Sequence, residues 1–168
     1  MVEVELVDVR IEESTKQPFM ELRPKDGTRR ILPIFIGLAE AGAIKAAIEN
    51  KHSHRPMTHD LFIATLTATG SRLDQVVIND YQKRVFFAEL HLVVDHEGQP
   101  GGRRETVSAR PSDAVALAVR CGASIFVNDS VLDECALPDL APAEPADNGE
   151  LVDEFRKFID DINPEDFR

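Results

Sequence analysis

Two short polar motifs hold most of the side chains in this sequence that could move a proton or grip a phosphate. The first gathers His52, His54, Arg55, His59 and Asp60 around Arg-Pro-Met-Thr-His-Asp-Leu. Imidazoles beside a carboxylate can ligate a metal or serve as a general acid and base. The spacing is not that of a zinc site, since there is no His-Glu-x-x-His and no cysteine partner. On a helix beginning at Thr58, His59 and Asp60 point about 100° apart, so they cannot easily share one ion. The plainer reading is that Thr58 and Asp60 close the start of a helix while His59 bonds a backbone carbonyl.

The second motif is Ala109-Arg110-Pro111-Ser112-Asp113. Pro111 fixes the start of a helix, Ser112 can satisfy a free N–H, and Asp113 suits the positive end of the helix dipole. The same free N–H groups, with Arg110 and Ser112, also make a seat for an anion or phosphate. If Arg110 instead pairs with Glu40 or Asp113, that seat becomes a structural ion pair. Glu40 is the third candidate, because Glu40-Ala41-Gly42-Ala43-Ile44 echoes Asp113-Ala114-Val115-Ala116-Leu117. Each echo follows a strand and opens a helix. Duplication of a unit explains it, and so does common Ala-rich helix composition. Glu40 and Asp113 could jointly hold Mg²⁺ or Mn²⁺ through oxygen ligands. Arg29-Arg30 and Arg103-Arg104 read as solvated strand ends. There is no P-loop, Gly-x-Gly-x-x-Gly or Gly-x-Ser-x-Gly, so nucleotide-binding and serine-hydrolase readings have no support.

The elements that must position these groups are legible from periodicity. Val2, Val4 and Leu6 alternate with acids as in a half-buried strand, and the phase shifts at Val7, consistent with a bulge. Pro-Phe-Met-Glu-Leu-Arg-Pro and Arg-Arg-Ile-Leu-Pro-Ile-Phe-Ile-Gly read as strands joined by a turn at Pro24–Gly27, with Pro33 arguing for an edge position. A helix follows from Leu38. Thr58 is expected to cap the next one, with Leu61, Phe62 and Leu66 on its buried side and Gly70 at its end. Two strands, 72–80 and 84–94, are expected around a tight turn at Asp80–Lys83. The second puts Phe86, Ala88, Leu90, Leu92 and Val94 on one face. A loop at 95–102 leads to a strand at 105–109, a helix opened by Ser112 and stopped by Gly122, a short strand at 123–127 and a helical turn at 130–135. This order predicts a mixed α/β (α+β) fold, one domain of mixed sheet with three main helices.

The chain has 168 residues, 43% hydrophobic, with 30 acids against 19 bases and a formal charge of −11. That size suits one domain with a real core. The acidity argues against coating nucleic acid by bulk charge, though not against a local phosphate groove. With no Trp, one Tyr and nine Phe, stacking platforms for single strands are few. Residues 139–168 hold ten of the acids and three of the bases, so much of the acidity lies in the tail. The expected division is a body over 1–137, a Pro/Ala-rich acidic linker over 138–149 and an amphipathic helical tail over 150–168. In the tail Leu151, Val152, Phe155, Phe158, Ile159 and Ile162 form one apolar stripe, which needs a surface on its own body or a partner protein. Cys121 and Cys135 are too few for a disulfide framework and read as buried free thiols. The start lacks the basic head and apolar run of a signal peptide, and no apolar run nears the roughly 20 residues that span a bilayer. A cytoplasmic protein without membrane association is expected.

Taken together, the segment from Ile36 through Arg-Pro-Met-Thr-His-Asp-Leu, the strand pair at 76–92 and Ser-Ala-Arg-Pro-Ser-Asp-Ala-Val-Ala-Leu-Ala resemble the bifunctional nuclease domain family over about residues 1–137. The resemblance implies a compact α/β domain, usually self-associated, most simply as a homodimer, with nuclease activity towards RNA and DNA. The positions it carries over are Glu40, Arg55, Pro56, Thr58, His59 and Asp60, then Arg110, Pro111, Ser112 and Asp113. This chain departs from the family pattern at Ser108, where an acid is common, and at His54, where Pro is usual. On this reading His59, Asp60, Asp113 and Glu40 are candidate catalytic groups, and Arg55, Arg110 and Ser112 candidate phosphate ligands. Glu40 and Asp113 are the candidate ligands for Mg²⁺ or Mn²⁺, and no organic cofactor is implied. The alternative is a non-catalytic regulatory or scaffold oligomer whose polar motifs are structural.

Overall fold

Alternating apolar residues along seven strands and a two-residue bridge build one sheet, and the helices cover the face those residues share. The computed structural model describes residues 1–51, 53–95 and 102–139. The elements are β1 (Val2–Ile11), β2 (Pro18–Pro24), β3 (Arg30–Phe35), α1 (Leu38–Ile48), α2 (Thr58–Ala68), β4 (Ser71–Gln82), β5 (Val85–Val94), β6 (Arg103–Ala109), α3 (Pro111–Cys121), β7 (Ser124–Val127), α4 (Asp129–Cys135) and β8 (Leu137–Pro138). The sheet order is β6-β5-β4-β7-β1-β2-β3-β8. Every pairing is antiparallel except β4 with β7, so the fold is α+β with a mixed sheet. The expected fold class is the observed one. The expected linker and helical tail, the loop after Asp95 and His52 lie outside the described residues, apart from Pro138 in β8 and Asp139.

The chain order contains two like units. β1, β2 and β3 form an antiparallel meander that runs into α1; β4, β5 and β6 form another that runs into α3. β7 joins the two, antiparallel to β1 and parallel to β4. The echoed sequences therefore occupy the same place in both units, at the step from a third strand into a helix. Adjacent strands rotate by about 20–25°, so the six steps from β6 to β3 accumulate about 120–150° of twist. The segments that follow β3 and β6 meet, with Arg110 2.9 Å from Glu40.

The core lies between the sheet and the helices. Met20, Leu22, Leu32, Ile34, Val76, Ile78, Ala88 and Leu90 meet Ile44 and the buried run Ala114–Ala118 there. Removing a Leu or Ile from such a site costs about 2–5 kcal/mol. The alanines of α1 and α3 permit the close approach of these helices within the chain, with Ala41, Ala43, Ala114, Ala116 and Ala118 all buried. Pro33 is open on one side, because β8 pairs β3 only at Arg30 and Ile31. The phase shift in β1 is a register irregularity between Leu6 and Asp8.

Three details differ from the sequence reading. The turn between β4 and β5 is at Lys83-Arg84 rather than Asp80–Lys83, because the strands stay paired out to Gln82 and Val85. In α2, Ile63 and Leu66 touch the core, whereas Leu61 (59% exposed) and Phe62 (40%) face outward. The helix lies at the margin of the layer and buries only one flank. Cys121 is an exposed residue and Cys135 half-buried. The Cys121 Sγ–H turns back onto the Leu117 carbonyl (3.2 Å), and enclosure of the sulfur pushes its thiol pKa up.

Candidate functional site

Each of the three long helices carries an acid at its third position: Glu40 in α1, Asp60 in α2 and Asp113 in α3. A carboxylate is favoured there by the free N–H groups and the helix dipole. What each acid does beyond this is decided by its neighbours.

Asp113 and Glu40 are joined through Arg110. Arg110 Nε and one terminal nitrogen donate to the two Asp113 oxygens at 2.8 and 3.1 Å, a bidentate fork. The other terminal nitrogen lies 2.9 Å from Glu40 Oε1. His59 Nε2 lies 3.4 Å from Asp113 Oδ1. The result is a continuous line, Glu40–Arg110–Asp113–His59, across the starts of α1, α3 and α2. Burial pushes the Asp113 carboxyl up, but the Arg110 fork and the His59 contact outweigh it and hold the group below the usual carboxylate range. The Asp113 bond in turn pushes Arg110 further up.

Asp60 faces elsewhere, as the divergence from His59 requires. It accepts from Arg120 Nε at 2.7 Å and from the Met57 backbone N–H at 2.9 Å. These two bonds, Arg120 first, hold its pKa low. The residue before the helix is thus Met57, and Thr58 is its first residue, not its cap. Arg120 also donates to the carbonyls of Ala116 (2.8 Å) and Ala43 (3.0 Å), so one guanidinium ties α1, α2 and α3 together. Sequence reasoning passed over Arg120, for a lone arginine in the last turn of a helix reads as a partner for the dipole. Arg55 is exposed and has no ion pair among the described residues.

The line of charges separates two clefts. On the Glu40 side, a cleft of about 490 Å³ is lined by Phe35, Gly37, Glu40, Arg84, Arg110 and Ser112, among others. Both like units contribute to it. Ser112 is 7% exposed, and its hydroxyl makes no hydrogen bond among the described residues. On the His59 side, an apolar groove of about 320 Å³ runs between α2 and β6, lined by Phe62, Leu90, Val107 and Leu117 with His59 and Asp113 at its margin. A Cβ at Gly37 would press on the Glu40 carboxylate and move it from its present place.

The donor set bears directly on the expected metal. Among the described residues no group of three His, Cys, Asp or Glu is placed to hold an ion. Between Glu40 and Asp113, where Mg²⁺ or Mn²⁺ was expected, lies the Arg110 guanidinium. A cation on these two carboxylates therefore requires Arg110 to be drawn away, and the residues as arranged do not fit a metal.

A two-unit α+β body with a histidine, an arginine and two acids in line at converging helix starts is the class that this fold and site define. The sequence model of the bifunctional nuclease domain matches residues 20–139. An uncharacterized protein of Mycobacterium tuberculosis is 39% identical over 172 residues, covering 100% of this chain and 99% of its own. Bifunctional nuclease 2 of Oryza sativa subsp. japonica is 33% identical over 138 residues, which is 81% of this chain and 41% of the rice protein. Bifunctional nuclease 1 of Arabidopsis thaliana is 31% identical over 113 residues, 66% of this chain and 33% of the plant protein. The chain belongs to the bifunctional nuclease domain family.

Proposed function

We propose that this protein hydrolyses phosphodiester bonds of RNA or DNA at the Glu40–Arg110–Asp113–His59 line. The observation that carries the reading is the Asp113 carboxylate, which binds a histidine on one side and an arginine fork on the other. With Nε2 turned to Asp113 at 3.4 Å, Nδ1 is the ring nitrogen left to take the proton of an attacking water and return it to the leaving oxygen. As the water oxygen bonds to phosphorus and the bond to the leaving oxygen breaks, charge grows on the phosphate oxygens, to be met by the Arg110 N–H groups not given to Glu40 and Asp113 and by the first N–H groups of α3. Ser112 adds a buried hydroxyl to that seat, and Arg55 an unpaired cation near the start of α2.

A divalent ion enters this scheme only if a phosphate draws Arg110 off Glu40 and Asp113. Purified full-length protein with labelled RNA, assayed with chelator and then with Mg²⁺ or Mn²⁺ restored, reads that directly. Unchanged turnover in chelator is expected from the present pairing, and chelator-sensitive turnover would install the metal. Asp113→Asn, checked by thermal melting, is expected to stay folded and lose most activity. A folded and fully active Asp113→Asn would remove the proposal.

One observation favours the scaffold reading instead. Arg110 gives three of its N–H groups to Glu40 and Asp113, as a structural network would. On that reading Asp113→Asn lowers the melting temperature, and no substrate or metal produces turnover.

A further inference from the structure

We infer that the cleft between the two like units binds one unpaired nucleotide of a single strand, with Arg84 holding its phosphate and the Phe35 ring its base. The inference rests on the nuclease reading and names the form of substrate: the strand crosses the charge line, with this nucleotide on the Glu40 side and the bond to be cut over Arg110, Asp113 and His59.

Charge distinguishes Arg84 from the arginine that the motif advertises. Arg110 already faces two carboxylates, Glu40 and Asp113, so most of its field is cancelled within the cleft. Arg84 lines the same cleft and has no ion pair among the described residues. It is therefore the uncompensated cation that an incoming phosphate meets there. Its backbone agrees with this placement. Lys83 and Arg84 form a two-residue turn with φ of 50° and 67°, a conformation usually given to Asn-Gly. Two cationic side chains sit there instead, projecting from the hairpin tip.

The rest of the cleft supplies what a nucleotide needs. Ser112, more than nine-tenths buried and without a side-chain partner, offers a hydroxyl at the start of α3. Phe35, 53% exposed, presents an aromatic ring that is only partly used by its tilted contact with Phe19 at 5.7 Å. Base–aromatic stacking needs an accessible base face, which a duplex does not offer. At about 490 Å³ the cleft lies within the range of roughly 300–1,000 Å³ typical of small-molecule pockets. It suits a splayed nucleotide and excludes a double helix.

The test is fluorescence anisotropy with the full chain and a fluorescein-labelled phosphorothioate single strand, chosen to resist cleavage, over a range of salt. The same strand annealed to its complement is the comparison. Arg84→Ala is expected to reduce the log–log salt slope by about 0.7, the value for one phosphate contact on a single strand. Phe35→Ala should leave that slope unchanged and weaken binding roughly 5- to 100-fold, as for one lost stack. The control is Arg103→Ala, whose side chain pairs with Glu105 away from the cleft and which should bind as wild type. Equal binding of duplex and single strand, or an Arg84→Ala variant with wild-type affinity and slope, overturns the inference. Cleavage of an unmodified strand is measured on the same samples. Binding through Arg84 and Phe35 without any cleavage upholds the cleft and removes the nuclease reading. Full kcat/KM in Arg84→Ala removes the cleft and leaves the nuclease reading standing.

Discussion

Asp113 shows how much one carboxylate can be asked to do. It opens α3, receives the Arg110 fork and contacts His59, and these donors hold it ionised despite burial. His59 has this single partner and a free ring nitrogen beside the α2–β6 groove. His59→Ala should therefore cost roughly 10²–10⁴-fold in kcat if the imidazole moves the proton. Because the ring is mostly enclosed, the melting temperature is expected to fall somewhat as well, and activity per folded molecule carries the test. Rates and melts on the same samples decide the matter: a destabilised variant with full activity per folded molecule would make His59 structural. His59 was legible in the sequence as a motif residue. The divergence of Asp60 from it was legible too, from helical geometry alone.

Among the elements, α2 is held by polar ties more than by burial. None of its residues is buried, and its N-terminus is fixed by Asp60 to Arg120, which also grips α1 and α3. Arg120→Ala should lower stability by roughly 1.5–3 kcal/mol, the range for hydrogen bonds to a charged group. Lysine should rescue little of it, having no planar fork to reach three acceptors. The pH dependence follows from sign. Asp60, Asp113 and Asp8 all have carboxyl pKa values below the usual range, so each favours the fold above the unfolded value of about 3.9. That contribution is lost as pH falls through the lower folded-state values. Urea melts should show stability level from neutral pH to about 5 and falling below 4. The acid limb should be shallower in Asp60→Asn; an identical limb in that variant would separate Asp60 from acid unfolding.

For the whole molecule, Asp139, the last described residue, is tied into the body. Its backbone N–H bonds the Arg29 carbonyl and its carboxylate lies 3.3 Å from Arg23. A protease of broad specificity should cut within 140–149 and leave the body folded, and cleavage first at 95–102 would redraw the division. Light scattering on the cut body reads its association state at the same time. The alanines of α1 and α3 pack these two helices together within one chain. The homodimer that the resemblance implied is expected to cover the exposed apolar residues Leu61, Phe62 and Val107. A body with the mass of one chain at high concentration would end that expectation.

The elements, and most residues of the candidate site, are legible in local pattern. Alternation placed the strands, Pro111 and Gly122 bounded α3, and two motifs singled out Glu40, His59, Arg110 and Asp113. These are local properties, set by side-chain period, backbone restriction and helix-end electrostatics, and they are written in neighbouring residues. Which charges cancel is set by contacts between distant segments. Glu40 and Asp113 could be matched by their echo, but that Arg110 would fill the space between them depends on the accumulated twist of six strand pairings. The same twist carries the Lys83-Arg84 turn to the cleft, where Arg84 becomes its unpaired cation. A basic pair at a hairpin tip has no meaning in sequence until the fold shows what it faces.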